Sequence, residues 1–241
     1  MDFLLVVGFL AVAAAGWVWY QVTDANRDLA LETLARRLAM KFRFGLPQEL
    51  RDVLHRFRVM EKAREAGGDF QAGINSIAGT RQDRALVFFD YQWISAHRYR
   101  FRRAWFWSGA DDNTAEYRRT HSRSAVAVRL GVSLQPVLIR PERLADKALA
   151  LVGYEDIDFD QLPEFSSKFY VNSPDRAGAR RLVTPALARF FMDHVRCTVD
   201  IVGPWMLLHP DGTIPASRVE DWFDVAGRLA ELITREQSRL R

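Results

Sequence analysis

Residues 74–94 read INSIAGTRQDRALVFFDYQWI, and this stretch decides the fold. Before it the apolar residues recur at helical spacing; within it they switch to the tighter periodicity of strands. Residues 74–80 and 85–94 are two β-rich runs, the second carrying the core Leu86-Val-Phe-Phe-Asp-Tyr-Gln-Trp93, and the polar stretch 81–84 between them is short enough for a turn. The pair therefore reads as a β-hairpin.

Working outward toward the C-terminus, residues 123–130 and 136–140 extend the sheet as two further strands, and Pro141-Glu142 starts a helix reaching about residue 151. A strand follows near residues 165–172. Thr184-Pro185 then supplies a cap and a proline at the first helical position of the next helix. Strands at 198–202 and 205–209 precede an Asp211-Gly212 turn, and Ser217 with Glu220 has the form of a capping box ahead of a last helix bearing Trp222, Phe223, Val225, Leu229 and Leu232. Strands in sequence with single intervening helices imply a mainly antiparallel sheet with helices packed on one side, an α+β fold.

Toward the N-terminus, Leu31, Leu34, Ala35, Leu38 and Phe42 form the apolar face of a helix within residues 23–42. That helix either packs on the domain or lies on an anionic leaflet, where its basic residues would help. Pro47 opens a second helix with Leu50, Val53, Leu54, Phe57 and Met60 on one face, stopped by Gly67-Gly68. Residues 3–20, FLLVVGFLAVAAAGWVWY, carry no charge. As a helix they would be roughly 27 Å long, close to a bilayer core. Trp17, Trp19 and Tyr20 sit where a membrane interface would hold them, and Gly8, Ala11 and Ala15 give one side small enough for a neighbouring helix to approach. A cleaved signal peptide competes through the small-residue triplets at 11–15, but Met1-Asp2 offers no basic start. Arg27, Arg36, Arg37, Lys41 and Arg43 follow the run and none precedes it, so the positive-inside rule expects the N-terminus outside and the domain on the cytoplasmic side of the inner membrane. The expected organisation is an anchor at 1–22, a juxtamembrane helical segment at 23–70 and a soluble α+β domain at 71–241.

The stretches ALVFFDYQW at 85–93 and GYEDIDFDQLPEFSSKFYV at 153–171 resemble an uncharacterised family of bacterial proteins with one N-terminal membrane helix. The resemblance spans roughly residues 30–235, implies the same layout of anchor and domain, and carries no catalytic residue.

With 241 residues, 49% hydrophobic and 27% charged, the chain has the composition of a folded protein. A single cysteine, Cys197, excludes an intramolecular disulfide and a four-cysteine zinc site. Four lysines against 30 arginines is a bias suited to carboxylate or phosphate recognition. Chemistry is hard to find. The five histidines have no zinc spacing, and no phosphate loop, dinucleotide fingerprint or nucleophile elbow occurs. Asp156, Asp158 and Asp160 alternate like calcium ligands, but Gln161 and Ser167 stand where an EF-hand loop needs glycine and glutamate, so Ile157 and Phe159 read as inward pegs. His194 and Cys197 are close enough for a thiolate pair, although a cysteine opening an apolar strand is more often a small hydrophobe. No catalytic, cofactor-binding or metal-ligating residue is expected.

The distinctive feature is basic and aromatic. Arg98, Arg100, Arg102 and Arg103 lie before an aromatic and acidic insert containing Trp105 and Trp107, and Arg118, Arg119 and Arg123 lie after it. If these flank a hairpin they form one patch: either an extended hairpin whose alternate aromatics pack while its arginines stay in water, or a candidate interaction patch with the arginine and tryptophan enrichment of docking hot spots. The expected partners are integral membrane proteins or, alternatively, anionic lipid. The small net charge of +4 argues against nucleic acid, and nothing points to a small-molecule substrate. The reading is a non-enzymatic accessory or scaffold subunit of an energy-transducing, photosynthetic, transport or secretion complex; the alternatives are an anion- or lipid-headgroup-binding module and an enzyme of unrecognised type.

Overall fold

Strands β2 (Phe70–Arg81) and β3 (Arg84–Arg100) are joined by the two residues Gln82 and Asp83. Their φ angles of 52° and 60° form the left-handed pair whose twist matches an antiparallel hairpin. The computed structural model of the chain describes residues 26–65, 70–100, 114–142 and 157–239. On this hairpin the sheet grows. β1 (Lys41–Arg43) pairs with β2, and β4 (Thr114–Pro141) pairs with β3. At its far end β4 is flanked on both sides, with Leu138 opposite Asn172 of β5 (Phe169–Asn172) and opposite Asp200 of β6 (Thr198–His209). Every pairing is antiparallel.

Two strands are longer than their sequence suggests. Residues 123–130 and 136–140 belong to the one strand β4, and residues 198–202 and 205–209 to the one strand β6. Between these halves the register shifts at Arg129/Leu134 and Leu134/Val137, so bulges absorb the residues left between the two expected strands. Gly203, at φ 60°, and Pro204 make the matching irregularity in β6, a site where a proline costs no ladder bond.

Helix α1 covers residues 26–37, and α2 (Gln48–Leu54) and α3 (Arg58–Glu65) follow β1. The helix expected to run from Pro47 into the sixties is therefore broken, at 55–57, where Phe57 turns fully into the core. α4 (Pro163–Ser166) takes the beginning of the strand expected near 165, leaving β5 to start at Phe169. α5 (Arg176–Leu182) and α6 (Pro185–His194) precede β6, and Thr184 caps α6 as its sequence predicts, accepting from the Leu187 N–H at 3.3 Å. α7 (Val219–Arg239) closes the fold. Its lead-in is a 3-10 turn at Ala216–Arg218, so Ser217 does not serve as the cap. Ile157 and Phe159 are buried while Asp158 and Asp160 are exposed, and the Ile157 N–H is bonded to Val171 O at 2.9 Å.

The expected architecture needs two corrections. Helices do not lie on one side of the sheet. Alternate strand residues Phe88, Val126, Val128 and Leu208 face α1, α5, α6 and α7, while Val87, Phe89, Tyr91, Ala125, Ala127 and Leu207 face α2 and α3. Two apolar layers thus sandwich the strands. Nor does the described fold contain a spanning helix: among the described residues no helix is long and apolar enough to cross a membrane. The run at 3–20, with Trp17, Trp19 and Tyr20 and the small-residue side Gly8, Ala11 and Ala15, lies outside the described residues, as does the helix expected at 141–151 beyond Glu142. Helix 26–37 packs its Leu31, Leu34 and Ala35 on the sheet, the first of the two roles open to it.

Candidate interaction site on the β3–β4 ribbon

Among the described residues β3 and β4 run past the strands beside them. The described part of β2 begins at Phe70, opposite Trp93, while β6 leaves β4 after Val126 pairs with Leu208, and the Gly212 carbonyl then takes the Ser124 N–H at 3.0 Å. The β3–β4 register nevertheless continues without a shift from Leu86 opposite Val128 to Arg100 opposite Thr114. Beyond Trp93 the two strands therefore run on as a ribbon of about seven residues each, roughly 23 Å at the usual rise per residue.

The foot of this ribbon is locked on both faces. On the α2/α3 face the core passes into a stack: Phe70 and Tyr91 have ring centroids 6.0 Å apart, Tyr91 and Trp93 stack at 5.9 Å, and Trp93 stacks on His121 across the strands at 4.9 Å and 12°. The Arg123 guanidinium lies 5.7 Å over the Trp93 ring and is ion-paired with Asp211 at 2.9 Å. The Ser95 hydroxyl is 2.9 Å from His121 Nε2, and the Tyr91 hydroxyl is hydrogen-bonded to His209. Burial pushes the Tyr91 phenol well above its usual pKa, so it stays neutral and available as a donor.

On the opposite face Arg27 of α1 makes a bidentate pair with Asp90, at 2.9 and 2.8 Å. The same guanidinium reaches Ser124 Oγ at 3.3 Å and the Ile214 carbonyl at 3.0 Å. Ser124 in turn donates to Asp90 at 2.6 Å and accepts the Ile214 N–H at 2.9 Å. One buried carboxylate thereby fastens α1, two strands and the segment before α7 together, its lone pairs met by charged and neutral donors.

Of the expected patch positions, the backbone register places Arg98, Arg100, Arg118, Arg119 and Arg123 on β3 and β4. Arg118 and Arg119 are exposed on β4. Arg123 is drawn down to the foot, held by Trp93 and Asp211. Arg98 stands opposite Glu116 and Arg100 opposite Thr114 in the backbone register. Arg102, Arg103, Trp105 and Trp107 lie outside the described residues. Charge sharpens the picture: residues 95–125 hold seven arginines, no lysine and three acids, a net +4 that equals that of the whole chain. The rest of the protein, with 27 bases and 27 acids, is formally neutral.

Sequence reasoning missed the stack at the foot. Trp93 and His121 are 28 positions apart and meet only through the register; the visible signal was the alternation of Tyr91 with Trp93 and of His121 with Arg123. Elsewhere the candidate groups go to structure. Cys197 is buried, and burial pushes its thiol up to about 12, whereas the His194 ring lies against Phe190, tilted, with centroids 4.9 Å apart. That thiol is not a nucleophile at neutral pH. A cavity of about 310 Å³ is lined by Arg51, Leu54, His55, Met60 and Phe70. Its walls are mostly apolar, and Arg51 donates to the Leu46 carbonyl at 2.9 Å. Among the described residues no group of three His, Cys, Asp or Glu is placed to hold a metal ion.

No protein-family model and no curated protein matches the chain. Among solved structures it is similar to the crystal structure of the mycobacterial trehalose monomycolate transport factor A, TtfA, at 13% identity over 87% of this chain and 93% of that one, with a TM-score of 0.49.

Proposed function

We propose that the protein is a non-enzymatic accessory or scaffold subunit that docks on a larger membrane assembly by its β3–β4 ribbon, at the cytoplasmic face of the inner membrane. The observation that supports this reading is the concentration of the whole net charge on residues 95–125, whose described strands run past both covered faces of the sheet. A single two-stranded ribbon is marginal in water, so its projection from a well-packed fold suits a segment completed by a neighbour. Arginine with nearby aromatics is the composition of docking hot spots, and a locked foot keeps such a segment oriented. The cytoplasmic side rests on the basic residues at 27–43 that follow an uncharged N-terminal run.

The test is the native size of the full chain after gentle detergent extraction at native expression. Docking predicts a large complex, lost when Arg118 and Arg119 are both replaced by glutamate; a wild-type monomer overturns it. Flotation with anionic vesicles provides the other arm. Salt-sensitive binding to lipid alone, abolished by the same two substitutions, would favour the headgroup-binding reading instead.

A further inference from the structure

We infer that the turn after β1, with β1 itself and the start of α1, is a second contact surface whose partner is the anionic face of a lipid bilayer. β2 separates it from the ribbon, and it does not depend on the docking reading above. Residues 41–44 read Lys-Phe-Arg-Phe. Among the described residues the exposed large hydrophobics are Phe44, at 72%, and Leu29, at 62%, and both lie at this end of the fold.

Phe44 is exposed on a backbone that is fastened on both sides. The Gly45 N–H donates to the Gly73 carbonyl at 2.6 Å, and the Ser76 hydroxyl lies 3.1 Å from the Arg43 carbonyl and 2.6 Å from that of Gly45. Gly45 takes φ 94°, and a Cβ on Gly73 would stand 2.9 Å from the Gly45 backbone, so the close approach requires glycine at both positions. The Phe44 ring meets half-buried Phe42 edge-on, with centroids 5.6 Å apart. An apolar ring presented by a fixed turn loses little freedom when it is covered. Leu29 is tied to the same place, because Asn75, the neighbour of Ser76, donates to Asp28 in the first turn of α1 at 2.8 Å.

Charge and position select the occupant. Lys41 and Arg43 are exposed, and among the described residues neither forms an ion pair. The other charges nearby are matched: Arg36 by Glu32, Arg37 by Glu220 and Asp28 by Asn75. Two unmatched cations beside two aromatic rings suit a headgroup layer, where the rings enter the apolar boundary and the cations meet phosphates. A bilayer fits this surface better than a second protein does. Residues 3–20, which carry no charge, end six positions before α1, so the long uncharged run joins the fold at this end.

The experiment uses the purified full chain with phosphatidylcholine vesicles, made with or without phosphatidylglycerol. A nitroxide is attached at Phe44→Cys and, as a control beside the opposite edge of the sheet, at exposed Asp158→Cys; buried Cys197 leaves little labelling background. Electron paramagnetic resonance then reads each label's access to oxygen and to a water-soluble nickel complex. On anionic vesicles the label at 44 should lose most of its nickel access and gain oxygen access, while the label at 158 stays as it is in water. Lys41→Glu with Arg43→Glu should restore nickel access at 44, and raised salt should do the same without any substitution. Equal nickel access at 44 and 158 on anionic vesicles would overturn the inference, as would a label at 44 that is shielded equally on neutral vesicles and at high salt. Loss of shielding at 44 with Arg118→Glu and Arg119→Glu, but not with the changes at 41 and 43, would also overturn it.

Discussion

Asp200 carries the sharpest energetic prediction in the fold. It sits on β6 with 1% of its surface exposed, under the first turn of α3, where its carboxyl accepts the Val59 N–H at 3.2 Å. The Arg58 guanidinium is turned to the Asn172 side chain, and Glu61 adds a like charge. Burial outweighs the helix N–H bonds and the Arg58 charge, raising the carboxyl from 3.8 to about 7. Because the folded value lies above the unfolded one, this group's contribution to stability is fully present below about pH 4, declines as pH rises, and is lost above about pH 7. A shift of about 3 units corresponds to at most about 4 kcal/mol at about 1.4 kcal/mol per unit. Local relaxation leaves an expected cost of about 1–3 kcal/mol. Asp200→Asn keeps an oxygen to accept from Val59 and removes the ionisation. Denaturant unfolding of both proteins between pH 5 and 8 should show the variant gaining about 1–3 kcal/mol over wild type at pH 8, with most of that difference gone by pH 5. A variant less stable than wild type at pH 8 by a margin that does not change with pH would refute the reasoning. It would mean that the carboxylate is charged and held by α3 rather than forced to protonate.

Two further predictions concern the sheet that carries the ribbon. Arg27→Met leaves Asp90 buried without its bidentate partner and should cost about 3 kcal/mol in urea unfolding, much of it recovered when Asp90→Asn is added; additive losses would show that the pair is not coupled. Cys197, with its thiol pushed up to about 12 by burial, should react with a disulfide reagent at least a hundredfold more slowly in the native protein than in denaturant; rapid native labelling would show that β6 opens at its start.

The hairpin at 74–94 was legible because its two signals agree: a period of two in the strands and a short polar stretch between them. The unity of β4 was not, because the expected strands stop at Leu130 and resume at Pro136, and only a partner strand shows the register shifts that join them. Helices on both faces were also missed, since an amphipathic helix announces that it has an apolar side but not which surface receives it. The clue lay in Leu86-Val-Phe-Phe, an unbroken apolar run, where a strand with one wet face would have alternated. The arginine patch was legible as composition. Its projection, and the Trp93–His121 stack beneath it, required the register of strands 28 residues apart in sequence.

That stack bears on how docking would work. An isolated ribbon would pay for being ordered when a partner binds, and the arginines alone would make it a loose electrostatic tether. Here the strands enter the ribbon already fixed, by Trp93 on His121 and Ser95 on one face and by Arg27 on Asp90 and Ser124 on the other. None of these groups is an exposed charge available to a partner, yet each limits the angle at which Arg118 and Arg119 are presented. His121→Ala should accordingly weaken partner binding several-fold, mainly through faster dissociation, while leaving its salt dependence unchanged; Arg119→Glu should reduce the salt dependence as well. Identical salt profiles for the two variants would mean that the foot contributes charge, not rigidity. The distinction matters for the proposed docking: in the described fold helices cover both faces of the sheet, so a ribbon held at its foot is the part of the strands that such a partner would meet.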